Sequence, residues 1–208
     1  MKSQFSIDFL ISLSIVLAIV AFLFLFIMPI TFNNGSQQMQ MYSICNYLSD
    51  SMNSVLSSYS NFSSYNLNLL NSGFTYYPYN VSISNGIIII KYQNSIVSCA
   101  ADASKMKSES FLFSNLNIYR NYTNISVAYL YGNDELGIPS IVYGGGFLKN
   151  VSLYLIYPNG TSTLLNNSLP TKFTYNFNIS IKSPGLYKFY AIDNYYHNIN
   201  VEFPFTYS

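Results

Sequence analysis

The chain has 208 residues, of which 50% are hydrophobic, 18% aromatic and 8% charged, with a net charge of +1. Water-exposed proteins usually carry about 25% charged residues, so Asn, Ser and Tyr must supply the polar surface here. The near-zero charge excludes a basic field for nucleic acid and an acidic tail. The 21 Tyr and 16 Phe, with no Trp, favour strand over helix.

The first predicted element is apolar. From Phe9 to Phe32 every residue is apolar or small and nearly neutral apart from Ser12, Ser14 and Thr31, enough to span about 30 Å of hydrocarbon at about 1.5 Å per residue. A cleaved secretory signal has a shorter core, and Met28-Pro29-Ile30-Thr31-Phe32 is no small-x-small site. The run therefore reads as a retained transmembrane helix with membrane lipid around it. Lys2 before it keeps the amino end cytoplasmic and places the carboxyl-terminal domains outside, in a single-pass cell-membrane protein. Pro29 is expected to kink this helix. Asp8 is a carboxylate at the mouth of the span. It sits either at headgroup level, favoured by the helix dipole, or against a cation from another chain.

Gln4-x-Ser6-x-Asp8-Phe9-Leu10 resembles the cleavage region of archaeal type IV pilin-like precursors, the class III signal peptides, with Asp where the family has Glu. The resemblance implies a leader peptide of residues 1–3, cut between Ser3 and Gln4 by a prepilin peptidase, and a transmembrane, pilin-core helix over 4–32. It also implies an assembly role for Asp8, pairing with the free amino terminus of a neighbouring pilin-like subunit in a surface filament.

Residues 33–103 read as a helix plus β-meander module. Met41, Ile44, Leu48, Met52, Val55 and Tyr59 step by three and four along one helix face, where the Met side chains read as core filler. A Ser/Asn-rich link follows. Phe74–Tyr79, Val81–Ser84, Ile87–Tyr92 and Ser95–Ala100 look extended, with Asn85-Gly86 the strongest hairpin signal. Cys45 and Cys99 with His197 make no zinc site on ordinary ligand counts. A disulfide is the default reading outside the cytosol, with two buried free thiols as the alternative. On the disulfide reading it staples helix to sheet. Residues 104–110, inside the most charged stretch with Asp102, Lys105, Lys107 and Glu109, read as a solvated linker, with a binding patch as the alternative.

Residues 111–208 alternate strand and turn. Extended candidates are 111–118, 123–131, 139–143, 151–157, 162–165, 172–181, 185–193 and 198–206, at a spacing that suggests a β-sandwich. The Val151–Thr161 stretch with its Pro158-Asn159-Gly160-Thr161 turn, and Pro184-Gly185-Leu186-Tyr187 running to Asp193, resemble immunoglobulin-like domains of microbial surface proteins. The overall expectation is an α+β, membrane-anchored chain: a long transmembrane helix, a small helix-on-antiparallel-sheet module, and an all-β immunoglobulin-like sandwich.

Candidate chemistry is sparse. Asp134, Glu135 and Asp193 are candidate calcium or carbohydrate contacts, against the plainer reading of solvated turns. His197 near Asp193 suggests acid/base work, but no nucleophile motif accompanies it, and the plainer reading is a loop residue. Gly144-Gly145-Gly146 precedes a strand, not a helix, so it is no phosphate loop. Asn-x-Ser/Thr glycosylation sequons occur at Asn34, Asn61, Asn80, Asn121, Asn124, Asn150, Asn159, Asn166 and Asn178. Tyr-rich surfaces suit carbohydrate or protein ligands. The sequence points to a minor pilin or filament-associated structural or adhesive protein. It has no enzymatic role, no cofactor and no nucleic-acid partner. The alternative is a monomeric, single-pass membrane-anchored extracellular binding protein.

Overall fold

The computed structural model describes residues 13–21, 28–68, 79–101, 106–112, 114–133, 138–178, 181 and 183–207. Two helices lie among them: α1 (13–21) and α2 (Met28–Ser57). Thirteen strands follow: β1 (Phe62–Leu67), β2 (Asn80–Ser84), β3 (Ile87–Tyr92), β4 (Ser95–Ala100), β5 (Glu109–Leu112), β6 (Leu116–Asn121), β7 (Asn124–Gly132), β8 (Ile141–Gly145), β9 (Val151–Ile156), β10 (Ser162–Leu169), β11 (Phe173–Asn176), β12 (Gly185–Asp193) and β13 (Asn200–Tyr207). The chain divides into two units, Met1–Ser43 and Ile44–Ser208.

The expected membrane-anchored α+β architecture is corrected on this point. Among the described residues no helix is long and apolar enough to cross a membrane, so the single-pass anchor and the topology built on it are overturned. The described part of α1 has nine residues, about 14 Å at 1.5 Å per residue and half of a bilayer core. Helix α2 is longer but polar along much of its length, with Asn33, Asn34, Ser36, Gln37 and Gln38 in its first third. The described chain is mostly strand, as its Tyr, Phe and Ile content favours. Ser3, Gln4, Asp8 and residues 22–27 lie outside the described residues. Pro29 stands in the first turn of α2, where a missing N–H is tolerated.

Among the described residues of the larger unit every pairing between the named strands is antiparallel, with one isolated parallel bridge, Met106↔Ile125. Sheets of five strands, β1-β6-β7-β8-β11, and four strands, β10-β9-β12-β13, form a β-sandwich-like pair, and a third sheet runs β4-β3-β2-β5. Ala128, Leu130, Val142 and Phe173 of the five-stranded sheet share one core with Leu153, Leu155, Phe189, Ala191, Phe203 and Phe205 of the four-stranded one. Phe189 is its hub, 4.9 Å edge-on to Phe177 and 5.0 Å stacked on Phe205. Deleting such a buried ring costs about 3–5 kcal/mol. The glycine run that closes β8 is explained by this packing. A Cβ on Gly144 would meet the Phe173 ring and one on Gly145 the Tyr129 ring, while Gly146 holds φ +77° against the Val127 carbonyl.

From Ile44 onward helix α2 packs over the third sheet. Ile44, Leu48, Met52 and Val55 are buried at the expected spacing, and so are Val81, Ile83, Ile88, Ile90 and Val97 on one face of the strands. Ser49 Oγ donates to the Ala100 carbonyl at 2.7 Å. Cys45 and Cys99 form a disulfide between helix and β4. Tyr59, counted in the helical stripe from the sequence, lies beyond the helix end and is fully exposed. Arg120 of β6 caps that end: Nη1 donates to the carbonyls of Leu56 (2.8 Å) and Ser58 (2.9 Å), where the helix dipole favours a cation.

Two segments join the sheets in ways that sequence position hides. The Ser/Asn-rich link contains β1, which pairs with β6 from Phe62↔Asn121 to Leu67↔Leu116. The stretch expected as a linker, 104–110, runs into β5, which pairs with β2. There Lys107 and Glu109 form an ion pair at 3.6 Å, and Asp102 and Lys105 lie outside the described residues.

The disulfide closes a separation of 54 residues, and a loop of that length gives about 4 kcal/mol of stabilisation. Cys45→Ser/Cys99→Ser is therefore expected to lose about that much in urea unfolding. Alkali provides a second check. Burial pushes the Tyr119 hydroxyl up to about 12, with the Ser126 hydrogen bond opposing and the carboxylates of Asp193 and Glu109 adding. Burial, then Glu109, pushes Tyr129 up to about 12. Below pH 10 both states keep these protons, and between pH 10 and 12 the unfolded chain releases them first. The contribution of these two hydroxyls is therefore expected to be constant up to pH 10, and stability to fall between pH 10 and 12. Tyr119→Phe and Tyr129→Phe should each flatten that fall in pH-dependent melting curves.

Candidate functional site

The loops at one end of the sandwich are arranged by one carboxylate. Asp193 closes β12 and is fully buried. Its Oδ1 accepts the N–H groups of Tyr195 (3.0 Å) and Tyr196 (2.9 Å), an Asx-type turn that reverses the chain after the strand. Oδ2 accepts the N–H groups of Leu148 (3.0 Å) and Lys149 (2.7 Å), 45 and 44 positions away. Asn194 adds to the knot: its N–H donates to the Asn150 carbonyl, and its Oδ1 accepts from Ser152 Oγ at 2.6 Å. The result is a cleft of about 660 Å³ lined by Lys149, Asn150, Asn194, Tyr195 and Tyr196. Tyr196 stacks on Phe62 at 5.2 Å, and Tyr195, 71% exposed, meets Tyr196 edge-on at 4.8 Å.

A second concavity, about 120 Å³, lies between β1, β6 and β13 and is lined by Asn66, Asn68, Asn115, Leu116, Asn200 and Glu202. Beside it runs an amide network. Asn117 Nδ2 donates to Asn66 Oδ1 and, at 2.9 Å, to the Asn198 carbonyl. Asn66 Nδ2 donates to Asn200 Oδ1 at 3.0 Å. Asn117 is fully buried, and among the described residues its Oδ1 has no hydrogen-bond partner. Both sites offer amides for hydrogen bonding, and the first adds the Tyr195 and Tyr196 rings for stacking. Neither pairs a nucleophile with a base.

The residues singled out from the sequence fall as follows. Asp193 has its oxygens occupied by four main-chain N–H groups, so its place is in the loop architecture and the calcium or acid/base reading is not sustained. His197 is exposed, and the contact seen for it is its carbonyl, which accepts Asn200 Nδ2 at 3.0 Å. Asp134 and Glu135 lie outside the described residues. Among the described residues no group of three His, Cys, Asp or Glu is placed to hold a metal ion. Of the sequons, Asn61, Asn80, Asn124, Asn150, Asn159 and Asn178 are exposed, and Asn121 and Asn166 are half-buried. Asn34 lies in α2, with its side chain outside the described set. Sequence reasoning passed over Asn66, Asn115, Asn117 and Asn200, because in an Asn-rich chain nothing local marks the buried ones.

Comparison of the chain with protein-family models, with curated proteins and with solved structures gives no match.

Asp193→Ala removes the acceptor for four N–H groups, two of them from a distant loop. Hydrogen bonds to a charged group contribute about 1.5–3 kcal/mol each when their loss strands the partner. A loss of at least about 3 kcal/mol is expected in denaturant unfolding. Asp193→Asn should retain part of it, because one oxygen still accepts.

Proposed function

We propose that the chain is a non-catalytic structural or adhesive subunit of the pilin-like kind, a minor pilin or filament-associated protein. Its partners would be a prepilin peptidase, other pilin-like subunits, and a surface saccharide or protein ligand. The observation that carries this reading is Gln4-x-Ser6-x-Asp8-Phe9-Leu10 at the head of the apolar run.

Three further features support it. The Cys45–Cys99 disulfide fits a compartment more oxidising than the cytosol. The six bulky apolar residues of α1, Leu13, Ile15, Val16, Leu17, Ile19 and Val20, are all 40–59% exposed. An apolar surface of that kind favours burial in an assembly. The buried Asp193 and the half-buried Arg120 are engaged with main-chain groups, which leaves them unsuited to acid/base catalysis.

Amino-terminal sequencing of the protein purified from its own cells tests the reading. The expected first residue is Gln4. An intact Met1, or a start beyond residue 30, overturns it.

A further inference from the structure

We propose that Asn159 is the asparagine at which the folded chain accepts an N-linked glycan. The sequence holds nine Asn-x-Ser/Thr sequons, and nothing local ranks them. The transferring enzyme reads two side chains at once, the asparagine amide and the hydroxyl two residues later. A hydroxyl that already ties two elements of the fold is available only if that tie breaks. On this ground the sequons separate.

Asn159 lies in the turn Pro158-Asn159-Gly160-Thr161 between β9 and β10, and all four residues are exposed. Its Oδ1 accepts the N–H (3.0 Å) and the Oγ1 hydroxyl (2.7 Å) of Thr161. The two side chains to be read are thus already together on the outside of the fold. With Oδ1 taking both bonds, the reacting Nδ2 has no hydrogen-bond partner among the described residues. Beneath them the turn is closed twice: Gly160 N–H donates to the Tyr157 carbonyl and Tyr157 N–H to the Thr161 carbonyl, each at 2.9 Å. Gly160 holds φ +82° with open space where a side chain would stand. The fold has already met the cost of ordering this segment for capture.

At five other sequons the second residue is committed elsewhere. Ser63, after Asn61, donates to the Val55 carbonyl in the last turn of α2 at 3.2 Å. Ser82, after Asn80, bonds Ser110 at 3.2 Å across the β2–β5 ladder. Ser126, after Asn124, is buried in β7. Ser152, after Asn150, is buried and donates to Asn194 Oδ1 at 2.6 Å. Ser168, after Asn166, accepts Asn150 Nδ2 at 3.3 Å, which occupies the Asn150 amide as well. Asn121 is itself half-buried at the end of β6. The sequons of Asn34 and Asn178 include side chains outside the described set.

The co-substrate is a lipid-linked saccharide, joined through its C1 to phosphate on a polyprenol. Asn159 Nδ2 forms a bond to C1 and the C1–O bond breaks. The lipid phosphate leaves with that electron pair, and one Nδ2 proton passes to solvent, so no oxidant or reductant is needed. This inference does not rest on the pilin-like reading, since occupancy of Asn159 and the amino-terminal residue are measured separately and can fail separately.

The test is glycopeptide mass spectrometry on the full chain from its own cells, with occupancy measured at each sequon. Occupancy at Asn159 is expected to exceed that at Asn61, Asn80, Asn124, Asn150 and Asn166 by about fivefold or more, the factor that breaking one hydrogen bond supplies. An unmodified Asn159, or equal occupancy at those five, overturns the proposal. Ser110→Ala separates selection by the fold from selection by sequence. It leaves every sequon unchanged and releases the Ser82 hydroxyl and Asn80 Oδ1. Occupancy at Asn80 is expected to rise by about fivefold while Asn159 stays the same. An unchanged Asn80 overturns the claim that the committed hydroxyl excludes the other sites.

Discussion

Four main-chain N–H groups converge on the carboxylate of Asp193, and the end of the sandwich is organised around that convergence. Among the described residues the buried acid has no cationic partner, an arrangement that is costly unless hydrogen bonds replace the lost water. Here they do, and both oxygens are used. The turn after β12 and the loop before β9 are separate in sequence, and each would leave stranded N–H groups if it were buried alone. Sharing one acceptor fixes their mutual position and hence the cleft of Lys149, Asn150, Asn194, Tyr195 and Tyr196. Arg120 does the converse at the other charge sign, since its guanidinium takes up carbonyls that the end of α2 cannot satisfy.

The same constraint explains the polar interior. With 8% charged residues, the chain relies on amides and hydroxyls wherever sheets meet. The Asn117–Asn66–Asn200 network joins β6, β1 and β13 with neutral groups that carry a small desolvation cost when paired. The leftover carbonyl of Asn117 shows the limit of this solution: a side chain with two donors and one acceptor oxygen is hard to satisfy fully inside a sheet junction.

What was legible in the sequence was local. Asn85-Gly86 gives a two-residue hairpin because both positions need positive φ, and they have +48° and +77°. The alternation at Val151, Leu153 and Leu155 gave the inward face of β9 because one face is buried throughout. The Cys45–Cys99 disulfide was readable as the default pairing of two cysteines. What escaped was set by distant partners. Phe62-Ser-Ser-Tyr-Asn-Leu67 looks like a polar link, and becomes a strand because β6 offers it a ladder. Asp193 stood out as the acid ending a strand, but its four donors lie on two loops. The apolar run from Phe9 promised a membrane helix by length, whereas no helix among the described residues is long and apolar enough to cross a membrane.

Low charge also determines how such a surface can recognise anything. Charged interfaces gain encounter rate from long-range fields and lose affinity as salt screens them over about 8–10 Å. The sandwich holds Tyr154 and Tyr190 opposite each other on β9 and β12, and Tyr195 and Tyr196 at the cleft, with one ion pair and several amides. Their contacts are short-ranged and largely independent of ionic strength. Rigid rings lose little rotamer freedom on binding, which partly offsets the absence of electrostatic steering.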